Sequence, residues 1–161
     1  MPDTVLETLA AERAIRRLVS LYCDAVRRKD VDAAGTLFAA DARVQIADFP
    51  ERVGRAQIVD GLRRTLADFT YLHQICDMGL IDLKGDVARA RLGVIEANRP
   101  NGSESLNMIF GAYEDEYKLL EEGWRFHRRR FNLQLRALLP TSEIQAFQAL
   151  APSFPFAPIL P

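Results

Sequence analysis

Apolar positions in the first part of the chain recur at helical spacing, and those in the remainder alternate. Ile15, Leu18, Val19, Tyr22 and Val26 share one face of a predicted helix over residues 4–28. Thr4 followed by Glu7 supplies a capping box at its start. Asp30 caps a second, short helix, VDAAGTLFA, which buries Val31, Leu37 and Phe38. Asp41 turns the chain into a strand over 42–47, and Pro50 and Gly54 punctuate a loop. A third helix over 56–68 turns Ile58, Val59, Leu62 and Leu66 inward.

From Thr70 onward the period is two. TYLHQICDMGLIDL reads as a strand, Lys84-Gly85-Asp86 as a tight turn and VARARLGVIEAN as its partner. After a second turn at Arg99-Pro100-Asn101-Gly102, the stretch GAYEDEYKLLEEGWRFHRRRF holds two alternating runs around Glu121-Glu122-Gly123. That is a long antiparallel hairpin with one buried and one wet face. Tyr113, Asp115, Tyr117 and Leu119 share one face, and Trp124 and Phe126 alternate with Arg125 and His127. Aromatics interspersed with ionisable groups suit the wall of a pocket as well as a core. A last short helix, SEIQAFQAL, and the proline-rich tail APSFPFAPILP fill residues 140–161. Helices first and an antiparallel meander afterwards argue for an α+β fold, with helices on one face of a curved sheet. There are no repeats and no linker, so residues 1–161 are expected to form a single domain.

Composition narrows the function classes. A net charge of −1 provides no basic field for nucleic acid or acidic membranes. No apolar run approaches the ~20 residues of a membrane span, and MPDTVLETLAAERA lacks the apolar core of a signal peptide. Cys23 and Cys76 form no framework pattern and read as small core residues with free thiols, in keeping with a cytoplasmic protein. With only His73 and His127 and no clustered cysteines, neither a zinc site nor another cofactor is expected.

Four groups carry candidate chemistry. Tyr22 lies on the apolar face of the first helix, as a core tyrosine or as a hydroxyl aimed into a pocket, where such a donor contributes ~3 kcal/mol to a barrier. His73 sits in a mostly apolar strand, as a core histidine or as a base that titrates near neutrality. Asp77 shares its strand face, but positions i and i+4 lie ~13 Å apart along a regular strand. In the run Arg128-Arg129-Arg130, alternation sends Arg128 and Arg130 to one face and Arg129 to the other, unless a bulge swaps them.

The segments AIRRLVSLYCDAVRRKDVDAAGTLFAADARV, GRAQIVDGL, LHQICDMGLIDLKGDVARAR and YEDEYKLLEEGWRFHRRRF, in this order, resemble the SnoaL-like branch of the nuclear-transport-factor-2-like superfamily over residues 14–131. The resemblance implies a cone-shaped curved antiparallel sheet closed by three N-terminal helices around a pocket. It also implies a catalytic tyrosine in the pattern formed here by Tyr22, Asp30 and Asp32, and a general-base histidine at His73. The spacing Trp-x-Phe-x-x-Arg ending at Arg129 is similar to that of the family's dehydrochlorinases, where the arginine binds the departing anion. The family's dehydratases place an aspartate where this chain has Arg27, with Asp24 one turn earlier as a substitute. The base of the ketosteroid isomerases aligns with Ile46, and Asp48 follows two residues later.

Tyr22, Asp24, His73 and Arg129 are therefore the expected catalytic residues. Arg27, Ile46, Asp48 and Ile75 are expected to contact ligand, together with Asp77, Ile109, Tyr113 and Phe131. Two functions follow from the resemblance. One is a cofactor-independent lyase or isomerase acting on a hydrophobic cyclic molecule. The other is a non-catalytic binding or assembly module, such as the small subunit of ring-hydroxylating dioxygenases. A homodimer or homotrimer is expected in either case.

Overall fold

The computed structural model describes residues 4–77 and 79–144. Helix α1 spans Val5–Arg28. It begins at the capping box, in which the Thr4 hydroxyl accepts from the Glu7 amide and the Glu7 carboxylate accepts from the Thr4 amide. It ends at Lys29, whose left-handed φ of 56° stops the helix. Helix α2, Val31–Thr36, is capped by Asp30. It is shorter than the sequence suggests, because Phe38 already belongs to strand β1, Phe38–Ile46. A two-residue strand β2, Arg52–Val53, leads into α3, Arg55–Ala67.

Strands β3 (Phe69–Cys76) and β4 (Leu80–Lys84) lie on the same side of the long strand β5 (Val87–Pro100). They are one strand interrupted at Asp77, whose carboxylate accepts from the Gly93 amide. Strands β6 (Ser105–Leu120) and β7 (Gly123–Pro140) form the long hairpin, closed by Glu121-Glu122.

The sheet corrects the expected shape. Its order is β2-β1-β7-β6-β5-β3, with β4 also on β5. β1 runs parallel to β7, so the sheet is mixed rather than antiparallel. The end strands β2 and β3 do not pair, so the path stays open and closes into no cone. β2, α3 and β3–β6 lie between β1 and β7 in the chain, a connection long enough for the parallel pairing that no hairpin could make. The expected C-terminal helix is replaced at its start by a 3-10 turn, Thr141–Glu143, and Ile144 is extended. The rest of that segment and the proline-rich tail lie outside the described residues.

The core forms where α1 and α3 cover one face of the sheet. Ile15, Leu18, Val19 and Val26 of α1 are buried together with Phe38, Ile58, Leu92, Tyr117 and Phe126. At ~1.5–3 kcal/mol for each large apolar side chain, this burial is the main force holding helices to sheet. Among the described residues, no helix is long and apolar enough to cross a membrane.

Candidate functional site

Between the helices and the inner sheet face lies a cavity of about 340 Å³. Its walls are largely apolar. Val26 of α1, Val44 and Ile46 of β1, and Ile58, Leu62 and Leu66 of α3 face Leu72, Ile109 and Phe131 of the sheet. Tyr22, Gln74, Glu96 and Tyr113 give it one polar side.

That polar side follows from strand register. Gln74 opposes Glu96, and Glu96 opposes Ile109, so these three side chains share the inner face. The Gln74 amide nitrogen donates to Glu96 Oε2 at 2.7 Å and to the Tyr113 hydroxyl at 3.2 Å. Asn98 donates to Glu96 Oε1 at 2.6 Å. Behind it, Asn107 donates to Asn98 Oδ1 at 2.7 Å, and Arg136 donates to Asn107 Oδ1 through Nε and Nη2 at 3.2 and 2.9 Å. An arginine only donates, so Arg136 fixes the orientation of both asparagine amides and turns an N–H toward Glu96. Burial pushes the Glu96 carboxyl above its ordinary value, and the Asn98 and Gln74 donors offset only part of that rise.

Arg129 lies behind the wall. Its side chain is fully buried, and it donates from Nε and Nη2 to the two oxygens of Asp115 at 2.8 and 2.7 Å. The Tyr117 hydroxyl donates to the same carboxylate at 2.8 Å. The guanidinium stacks on Tyr113, Phe126 and Tyr22 at 3.9, 4.0 and 4.5 Å from the ring centroids. Among the described residues, its Nη1 has no partner. Burial raises the Tyr22 and Tyr113 hydroxyls above their ordinary value, and the Arg129 charge pulls both back part of the way. Both phenols are therefore protonated donors at neutral pH.

The sequence candidates fall into three groups. Tyr22, Ile46, Ile109, Tyr113 and Phe131 line the cavity. Arg27, Ile75 and Asp77 line a separate cleft on the other side of α1. His73, Asp24 and Asp48 line neither. His73 was expected to share the interior with Tyr22, but it is exposed on the outer face, because Leu72 and Gln74 on either side of it are the buried positions of β3. Asp24 was expected to serve His73 and instead accepts from Arg28 Nε at 2.9 Å. Arg129 faces inward through a bulge. Glu116 opposes Arg128 and Tyr117 opposes Phe126, so His127 is an extra residue that inverts the alternation of β7. The inward arginine is thus consumed by Asp115 on two of its nitrogens.

Gln74 and Glu96 were not singled out from sequence. The signal was present in β5, where Ala88, Ala90, Leu92 and Val94 mark the buried parity and Glu96 and Asn98 continue it. Among the described residues, no three His, Cys, Asp or Glu side chains gather closely enough to hold a metal ion.

Three helices over one face of an open, mixed sheet, with a largely apolar cavity between the layers, define a nuclear-transport-factor-2-like protein. The chain belongs to the SnoaL-like domain family, whose sequence profile matches residues 7–130. No curated protein matches the chain in sequence. Among solved structures, one assigned as a scytalone dehydratase from Novosphingobium aromaticivorans DSM 12444 is 21% identical, with a TM-score of 0.76 over 96% of this chain and 100% of that one. The hexachlorocyclohexane dehydrochlorinase LinA-type3 from Novosphingobium barchaimii LL02 is 15% identical, with a TM-score of 0.80 over 90% and 99% of the two chains. An NTF2-like protein with a cystatin-like fold from Novosphingobium aromaticivorans is 22% identical, with a TM-score of 0.67 over 81% and 90%. At these identities the likeness is one of fold.

Proposed function

We propose that the protein is a cofactor-independent lyase or isomerase acting on a hydrophobic cyclic small molecule by acid-base catalysis. The observation that carries this reading is Glu96. It is a carboxyl raised by burial, held between two amide donors, on the polar side of an otherwise apolar cavity. A carboxyl whose pKa moves toward neutrality is suited to take and return a proton.

In this mechanism the Glu96 carboxylate removes a proton from the carbon beside a ring carbonyl. The C–H electrons move into the carbonyl, and the developing enolate oxygen accepts a hydrogen bond from the Tyr22 hydroxyl. Return of the proton to a different carbon gives an isomerase. Expulsion of a β-hydroxyl as water gives a lyase. The Arg129 charge behind the Tyr22 ring lowers the cost of placing negative charge at its hydroxyl. Ile46, Ile109, Tyr113 and Phe131 would hold the ring system. The dehydratase and dehydrochlorinase folds among its structural neighbours support a reaction of this class.

The test is hydrogen–deuterium exchange in heavy water with a panel of steroid, terpenoid and polyketide-like ketones, followed by NMR. The expected result is exchange beside the carbonyl of at least one ketone, abolished in Glu96→Gln. A second reading, a binding module without chemistry, is favoured by His73 pointing outward and by Arg27 at the position of the dehydratase aspartate. It predicts ligand-induced thermal stabilisation with no exchange anywhere in the panel.

Self-association belongs to the same proposal. Ile75, Ile95, Phe110 and Leu135 are consecutive partners across β3, β5, β6 and β7, and they form an apolar row on the outer face. Ile75, Ile95 and Leu135 are 45%, 40% and 53% exposed, a surface suited to a second copy of the chain.

A further inference from the structure

Cys23 and Cys76 lie outside the cavity, one on α1 and one on the inner face of β3, with their sulfurs 3.6 Å apart. Both are free; Cys23 is buried and Cys76 is partly exposed. They wall the second cleft, of about 210 Å³, together with Ser20, Arg27, Asp77 and Ile81. Ser20 and Asp77 at its rim are exposed, so the cleft admits small polar reactants.

Two observations separate this pair from ordinary packing cysteines. The sulfurs are within hydrogen-bonding distance of each other although they sit on elements from distant parts of the chain. Arg16 and Arg27 also line the cleft against the single carboxylate of Asp77, and among the described residues the buried Arg27 Nε has no partner. The two thiols are unequal as a result. The hydrogen bond with Cys76 and the Arg129 and Arg27 charges pull Cys23 down, against burial, whereas the same hydrogen bond and burial push Cys76 up. Arg27 follows Cys23 by one helical turn on the same face of α1 and both line the cleft, so its charge favours a thiolate at Cys23; the thiolate is the nucleophile, and Cys23 reacts first.

We propose that Cys23 and Cys76 form a peroxide-reactive dithiol site in which Cys23 attacks and Cys76 resolves. The Cys23 sulfur attacks one oxygen of a hydroperoxide. The O–O bond breaks, water or an alcohol leaves, and Cys23 becomes a sulfenic acid. The Cys76 sulfur then attacks the Cys23 sulfur, and the hydroxyl departs as water with the Cys76 proton. Two thiols are oxidised by two electrons and one peroxide is reduced. A disulfide needs ~2.0 Å between sulfurs, an approach of roughly 1.6 Å from the present separation. The bond would join α1 to β3 beside the positions that carry Tyr22 and Gln74. The proposal is independent of the chemistry assigned to the cavity.

The experiment is titration of the full chain with hydrogen peroxide, read by intact mass, thiol count and non-reducing electrophoresis. Wild type is expected to lose both thiols and two hydrogens as a monomeric species, and dithiothreitol is expected to reverse this. Cys76→Ser is expected to stop at a sulfenic acid, trapped as one dimedone adduct on Cys23. Cys23→Ser is expected to lose its remaining thiol roughly tenfold more slowly or worse, since a protonated thiol is a poor nucleophile. Retention of both wild-type thiols under peroxide that oxidises free cysteine would overturn the proposal. So would equal rates in the two variants, or a disulfide that links two chains.

Discussion

Removing the carboxylate of Asp115 isolates a buried cation, and the structure sets the size of the effect. Both side chains of the Asp115–Arg129 pair are 0% exposed. In Asp115→Ala the guanidinium loses both charge-assisted bonds and keeps only the faces of Tyr22, Tyr113 and Phe126. Breaking one side of a buried pair costs about 3–5 kcal/mol. The Tyr117 hydroxyl also loses its acceptor, which adds about 1–3 kcal/mol if it stays dry. Cation–π contacts already exist in the wild type and return nothing new. A loss of roughly 4–8 kcal/mol approaches the total stability of many domains, which is about 5–15 kcal/mol. At about 2–4 °C per kcal/mol for a chain of this size, the melting midpoint should fall by roughly 8–32 °C. Urea unfolding followed by circular dichroism measures it directly. The paired variant Asp115→Leu/Arg129→Met removes both charges and should recover most of the loss, because the isolated charge, rather than the missing attraction, is what costs energy. An Asp115→Ala penalty below about 1 kcal/mol would mean that water reaches Arg129, and the account of a dry cation behind the cavity wall would fail.

Glu96→Gln should change the pH dependence of stability. The folded pKa of Glu96 is raised above its ordinary value of 4.5, so wild type is most favoured while Glu96 is protonated and loses that advantage as pH rises from about 4.5 through the folded pKa. The glutamine variant should lack this decline in urea titrations run across pH, and identical pH profiles would refute the assignment. Arg136→Met should leave the cavity wall intact yet raise the Glu96 pKa further, because nothing then orients Asn107 and Asn98; carboxyl carbon NMR reads it. Leu135→Glu should weaken the proposed self-association in light scattering without unfolding the protomer. Gly111→Ala should destabilise by about 1–3 kcal/mol, since the added carbon would run into the Asn132 backbone carbonyl oxygen and sit 2.6 and 2.7 Å from the Phe131 ring; thermal melting checks it.

The sequence displays its local patterns well and its long-range pairings poorly. The capping box at Thr4, the Asp30 cap and the turn at Glu121-Glu122 are set by neighbours within a few residues, and all three are found. The parallel pairing of β1 with β7 joins residues more than eighty positions apart and leaves no local mark. The Arg129 orientation depends on one bulged residue, His127, which no alternation count locates. His73 was misplaced for a related reason. Period-two reading assumes one apolar face, and β3 has two. Leu72 and Cys76 turn inward while Ile75 joins the apolar row outside, so YLHQIC carries no clear parity. Neighbouring β5 does carry it, because Arg89 and Arg91 mark its wet face through two turns of the pleat. The register Gln74↔Glu96 transfers that parity to β3.

That transfer explains why the buried carboxyl of the cavity sits on β5 in this chain. Family resemblance points to an inward histidine on β3 assisted by a carboxylate from α1. Here the inward position of β3 holds Gln74, which cannot serve as a base, and α1 presents Arg27 to the opposite cleft. A carboxyl and an amide donor are still adjacent in the cavity, but the carboxyl comes from the sheet and the amide holds it. Restoring a histidine at the inward position of β3 tests whether location or identity matters. Gln74→His with Glu96 retained puts an imidazole within hydrogen-bonding reach of the carboxylate. If the cavity supports proton transfer, this variant should keep exchange activity and shift its pH profile toward the histidine range, near 6.5. An inactive but folded Gln74→His would show that the amide bridge from Gln74 to Tyr113 is itself required.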